Sequence, residues 1–394
     1  MTTDKLLSID PYTLLNGERL RRERLQRMLE AMERHDVNAL LLHKDGNIRY
    51  ATDARSTFTF GRRGFTPAIV TRDGQIFIVT SAPEGKPQQM PQEHVIPRRW
   101  SLDTLVKDIK GSLGLLGRGR IGVDVLNVAL SQALQRELPE ATLVNGEAVM
   151  QEARLIKTPD EVQCLRLALT ISQAALHQAV EHLRPGIRET DLAAVFQRRC
   201  TDFGVHVTVN EGVFCAQPQR KEDILHAFKE APWRRLTSDK VLQEGDVVVL
   251  SGGAMYRGYA GEVGRTWFCA SQSRPKPEQR DLHRRWLDVY LKMLEECHPG
   301  RTASMLRKAA QTMGPLPPRG VAHGLGMGYE PPIVGTTLGK EFEERWVLQP
   351  GMVLVLEPAV WSEGAGGYLA KETVLITERG PEPLGRFPYG PLAE

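Results

Sequence analysis

Gln349-Pro-Gly-Met-Val-Leu-Val-Leu-Glu-Pro358 is the stretch on which the architecture turns. Met352 to Leu356 is a short, unbroken apolar run, the pattern of a strand buried on both faces. Glu357 ends that run. A carboxylate placed inside an apolar strand is costly to desolvate unless it has a task, so Glu357 reads as a functional group. A second strand-like run, Tyr368 to Thr377, carries Lys371 and Glu372 side by side. Residues two apart share a face of a strand, so Lys371 and Thr373 point one way and Glu372 the other. A one-residue slip would reverse them, and would turn Val374 and Ile376 over as well.

Working toward the N-terminus, Val247 to Leu250 and Gly264 to Cys269 also read as strands, and the helix-spaced segment Arg280 to Glu296 separates the two halves of this strand set. Further upstream the signal is helical. Thr158 as N-cap, Pro159 at the first helical position and Glu161 two residues later form a capping-box start. That helix runs to about Leu183 and stops at Pro185-Gly186; another runs from near Glu189 through Arg199. Before residue 150 strands and helices mix. Leu20 to His35 is an amphipathic helix, Ala39 to Leu42 a buried strand, and Ser101 to Leu116 a helix. Asp73-Gly74 lies between two strand-like runs, a hairpin signal. Arg120 to Asp124 adds a strand and Ser131 to Leu138 a helix. The reading is α+β, with a smaller α/β domain over 1–152 and a larger one over 153–394.

Bulk properties remove several functions. Lys and Arg total 51 against 48 Asp and Glu, a net charge of +3, so composition makes no case for nucleic acid or an acidic membrane. The five cysteines are scattered and odd in number, with no CxxC pair, which argues against a disulfide framework. Met1 to Asn16 has no apolar leader core, and no run is long enough to span a bilayer. A cytoplasmic location is expected.

Six blocks carry a resemblance. They are Arg154 to Glu161; Gly245 to Ser251; Gly258 to Glu262 with Arg265-Thr-Trp267; His323 to Pro332; Gln349 to Pro358; and Glu372 to Gly380. In order and spacing they resemble the creatinase/prolidase/aminopeptidase-P family, with Asn47 to Tyr50 and Phe60-Gly-Arg62 as looser matches in the first domain. The resemblance implies a pita-bread catalytic domain behind a creatinase-type N-terminal domain, and a homodimer.

Metal-dependent members of that family hold two divalent ions with Asp, Asp, His, Glu and Glu. Here the first position falls on Ser251, a neutral hydroxyl. The second falls on Glu262, one methylene longer than Asp, while His323 and Glu357 match. The last falls on Lys371, whose ammonium has donors and no lone pair. The pattern is similar to the metal-free creatinase-like members, so no metal or other cofactor is expected. Glu262, His323, Glu357 and Lys371 are the expected catalytic group, with Lys371 standing in for metal charge or merely neutralising Glu357. Ser251, Arg234, Glu372, Phe60 and Arg62 are expected substrate contacts, the last two by likeness to residues that cover the neighbouring subunit's pocket and hold a carboxylate. The family's histidine position falls on Arg234, and Arg is no base at neutral pH. The general base is therefore sought in His323 or Glu357, with His226 as a further candidate.

The function implied is hydrolysis of a C–N bond, amide or amidine, in a small polar substrate bearing a carboxylate. A metal-dependent Xaa-Pro aminopeptidase or dipeptidase is the alternative, and requires Glu372 to face the site. A lyase and a non-catalytic member of the same fold are the other two.

Overall fold

The computed structural model describes residues 15–54, 67–99, 101–205, 212–223, 233–312 and 320–393. The chain divides into two compact units, one spanning Leu15–Thr158 and one running on from Pro159.

The first unit is a six-stranded mixed sheet with helices. Helix α1 (Gly17–Arg34) starts where the Asn16 side chain accepts the Arg19 amide, three residues earlier than its apolar pattern suggests. There follow β1 (Ala39–Leu42), α2 (Asp45–Thr52), β2 (Ala68–Thr71), β3 (Ile76–Thr80), β4 (Val95–Pro97), α3 (Leu102–Leu113), β5 (Arg120–Val123), α4 (Val128–Glu137), β6 (Thr142–Asn145) and α5 (Gly146–Leu155). The strand order is β4-β3-β2-β1-β5-β6. The Asp73-Gly74 hairpin pairs β2 with β3 antiparallel, while β1 and β5 run parallel. Leu41, Ile69, Val79 and Ile121 pack with Val106, Ile109 and Leu134 in one apolar core.

The second unit opens with α6 (Pro159–His182) and α7 (Glu189–Asp202). Strands β7 (Val213–Ala216), β8 (Asp246–Tyr256) and β9 (Tyr259–Cys269) form a three-stranded antiparallel sheet. Helix α6 is tied to it by Ser172, whose Oγ accepts the Ala254 amide at 2.9 Å, and by Glu161, which accepts the Tyr259 hydroxyl at 2.6 Å. Then come α8 (Pro277–Glu295), α9 (Ala303–Gln311), β10 (Ala322–Gly326), β11 (Gly328–Val334), α10 (Gly339–Glu344), β12 (Val353–Leu356), β13 (Ala359–Ser362), β14 (Gly366–Leu369), β15 (Glu372–Thr377) and β16 (Gly380–Pro383). Their main sheet has the order β11-β10-β12-β15-β16, and β13 pairs with β14.

The run from Tyr368 to Thr377 is not one strand. It breaks between Leu369 and Glu372, where the chain passes from the β13 pairing to the β12 pairing. Thr266 Oγ1 accepts the Leu369 amide and donates to its carbonyl, each at 2.8 Å. The Lys371 amide donates to the Gly264 carbonyl at 3.0 Å. The crossing therefore leaves Lys371 seated against β9.

Candidate active site

The site is built where the hairpin β8–β9 meets the main sheet. Ser251 faces Gly264 in the β8–β9 register, and Gly253 faces Glu262. His323 lies on β10 opposite Val355 of β12. The pairs Val355–Thr373 and Leu356–Glu372 continue outward, so Glu357 comes opposite Lys371. Lys371 and Thr373 share a face, and Thr373 Oγ1 donates to the Glu262 carbonyl at 3.3 Å.

Four charged side chains close into a ring. The Lys371 ammonium donates to Glu262 Oε2 at 2.8 Å and lies 3.4 Å from Glu357 Oε2. His323 Nδ1 is 3.2 Å from Glu357 Oε1. Its Nε2 is 3.5 Å from Glu262 Oε1, an ion-pair separation too long for a good hydrogen bond. Each carboxylate thus turns one oxygen to the lysine and one to the histidine. All four residues are at least nine-tenths buried.

Burial opposes every one of these charges, and the ring overcomes that cost. Lys371 loses solvation, yet Glu262 and Glu357 hold its ammonium above the ordinary lysine range. His323 is likewise desolvated, and the same two carboxylates raise it. The Glu262 carboxyl, raised by burial, is brought well down by Lys371 and His323. The group is an alternating set of two cations and two anions.

A cavity of ≈ 320 Å³ opens beside the ring, and Ser251, His323, Glu357 and Lys371 line it. Glu262 is not among the lining residues; it stands behind the two cations. Glu372 is not brought to the cavity. Its Oε1 takes the Arg265 guanidinium at 2.7 Å and the Tyr389 hydroxyl at 2.9 Å on the opposite face of the strand. Arg234 is also turned away, bound through both terminal nitrogens to buried Glu189. Phe60, Arg62 and His226 lie outside the described residues.

The cavity has walls that the sequence pattern did not single out. Tyr329 stacks obliquely on His323, ring centroids 4.0 Å apart, because the β10–β11 hairpin shifts register at His323/Gly324 and folds back. Trp233 and Arg235, which flank Arg234, both line the cavity. Gly264 is bare because the Lys371 stem crosses it: a Cβ there would come within 2.8 Å of Lys371 Cγ.

The fold is similar to that of known proteins. Residues 163–378 match the model of metallopeptidase family M24, and residues 24–156 that of the creatinase/prolidase N-terminal domain. A Xaa-Pro dipeptidase of Pyrococcus horikoshii is 25% identical over 373 residues, 92% of this chain and 96% of that protein. A creatinase of a Bacillus species is 25% identical over 384 residues, 93% and 90% of the two chains. The crystal structure of the prolidase from Pyrococcus horikoshii superposes with a TM-score of 0.74 at 21% identity, covering 93% of this chain and 99% of that one. The α/β N-terminal unit and the pita-bread domain expected from the sequence are thus the fold observed.

Proposed function

The chain belongs to metallopeptidase family M24, and from that premise we propose that it is a metal-independent, creatinase-like hydrolase that cleaves a C–N bond in a small, carboxylate-bearing substrate. The family's name implies a divalent metal, and the side chains of this site do not fit one. Ser251 is neutral, and an ammonium stands within 2.8 Å of Glu262 and 3.4 Å of Glu357, where it competes with any ion for their oxygens. The remaining oxygens face the His323 ring rather than a shared point. Among the described residues, no three His, Cys, Asp or Glu side chains are arranged to hold an ion.

The Lys371 ammonium between two carboxylates is the observation that carries this reading. A fixed positive charge in a dry site does part of a metal's work, binding the carbonyl or amidine and stabilising charge that develops there. Glu357 is the base that takes the proton of the attacking water. His323, favoured as an imidazolium by both carboxylates, donates to the departing nitrogen. Glu262 holds the two cations in place, and Ser251 contacts the substrate. A metal-dependent Xaa-Pro peptidase would need Glu372 in the cavity, and Arg265 holds it elsewhere.

Metal analysis tests the proposal. Protein purified without added metal is expected to carry well under one equivalent of divalent ion and to melt unchanged after chelation. One or two equivalents, with a melt lowered by the chelator, would overturn it, because a ligand of the native state adds stability by mass action.

A further inference from the structure

The segment from Trp233 to Ser238 sends two side chains to the cavity, and the residue between them shows how it is held. Arg234 Nη2 donates to Glu189 Oε2 at 2.9 Å and Nη1 to Glu189 Oε1 at 2.5 Å. The same guanidinium reaches the Ala216 carbonyl at 3.1 Å and Ser238 Oγ at 3.0 Å. Gln217 brackets the Arg234 backbone, accepting its amide and donating to its carbonyl, each at 3.2 Å. Glu189 also accepts the Ser238 amide at 3.0 Å. Arg234 is therefore a clamp. With it turned into the protein, Trp233 and Arg235 line the cavity. The Trp233 ring lies against Gly367, where a Cβ would come within 2.3 Å of it.

We propose that Arg235 is the anion-recognition residue of this site, holding a carboxylate of the substrate while Trp233 forms an apolar wall beside it. This rests on the hydrolase reading above and adds to it a residue of the same chain. Outside the ring, Arg235 is the charged side chain among the described residues lining the cavity. A planar guanidinium offers paired donors that match a carboxylate, and its charge does not titrate away. Val213, Val249 and Ile333 line the same cavity and give it an apolar side. At ≈ 320 Å³ the space admits a small molecule. The substrate class that fits is a short acyl or amidino acid whose carboxylate meets Arg235 and whose C–N bond meets Glu357, His323 and Lys371.

The test is calorimetric binding of two matched pairs, N-acetylglycine with N-acetylglycinamide and succinamate with succinamide, to the intact protein. In at least one pair the acid is expected to bind about tenfold or more tightly than the amide, the value of one charge-assisted bidentate contact. Arg235→Gln is expected to erase that preference and Arg235→Lys to keep part of it. Arg235 is exposed, so both variants should fold. Equal binding of acid and amide, no binding of either pair, or an acid preference that survives Arg235→Gln would each overturn the assignment. Metal content is read separately on the same samples. A metal-loaded protein whose acid preference still vanished in Arg235→Gln would sink the metal-free reading and leave Arg235 in its role.

Discussion

Lys371 and Glu372 are neighbours in sequence, at the point where β15 begins, and enter two separate buried ion networks. On the Glu372 face, Arg265 is saturated. Its Nε donates to the Pro388 carbonyl at 3.2 Å, Nη1 to Gly264 at 2.8 Å and Lys371 at 2.9 Å, and Nη2 to Phe387 at 2.9 Å. Glu372 and the Tyr389 ring complete the enclosure. On the Lys371 face, Glu262 Oε1 and His323 Nε2 face each other at 3.5 Å without a close hydrogen bond, and a cavity lined by His323, Glu357 and Lys371 opens beside the ring. The carboxyl groups report the same contrast. Burial keeps Glu372 above its ordinary range, although Arg265 and the Tyr389 hydroxyl oppose the rise. Glu262, as deeply buried, is lowered because it faces two cations. A saturated network away from the cavity serves the fold; the proposed site is the network whose charges line a cavity.

Breaking each network in turn tests that distinction. Arg265→Met leaves a buried carboxylate and several carbonyls unpaired, and should cost about 3–5 kcal/mol in urea denaturation at pH 7. Lys371→Met should cost less, about 1–3 kcal/mol, because one carboxylate of the remaining pair can take a proton. The Lys371 deficit should also shrink as pH falls from about 4.5 toward the lowered Glu262 value. Glu262 contributes stability above its ordinary value that is lost as pH falls through its lowered one, and the variant has little of that to lose. A Lys371 variant less stable than the Arg265 variant would remove the contrast.

His323 sharpens the comparison from the alkaline side. Its raised titration means that its contribution is complete below the unfolded value of about 6.5 and is lost as pH rises through the folded one. The stability gap between wild type and His323→Gln should therefore be widest near pH 6 and narrow steadily above it, as thermal melts across the range would show. A gap that widened with pH would mean that His323 is buried as the neutral base.

The sequence carried much of this arrangement, and its gaps have physical causes. Strand alternation alone put Lys371 and Thr373 on one face and Glu372 on the other, and the register of β12 with β15 agrees. The apolar setting of Glu357 and its distance in sequence from His323 gave no hint that they share a hydrogen bond. The break after Leu369 was hidden because Tyr368 to Thr377 reads as one apolar run, and the hydroxyl that interrupts it, Thr266, sits on another strand. Arg234 and Arg235 are alike in composition and adjacent. Which one reaches the cavity depends on Glu189, a buried partner at the start of α7 that no local pattern connects to them.

Gly264 joins the two faces, and its substitution is the finest of these tests. It faces Ser251 across the hairpin and accepts the Lys371 amide. A Cβ there would come within 2.8 Å of Lys371 Cγ and 3.2 Å of Ser251 Oγ. The absence of a side chain at 264 is thus a consequence of the lysine at 371, whose stem occupies the space. Gly264→Ala should cost about 1–2 kcal/mol by overpacking. In a Lys371→Ala background the stem is gone, and about half of that cost should disappear, a coupling of about 0.5–1 kcal/mol in a double-mutant cycle. Strict additivity would show that the glycine answers to the backbone crossing, and that Lys371 could have been accommodated beside any small residue.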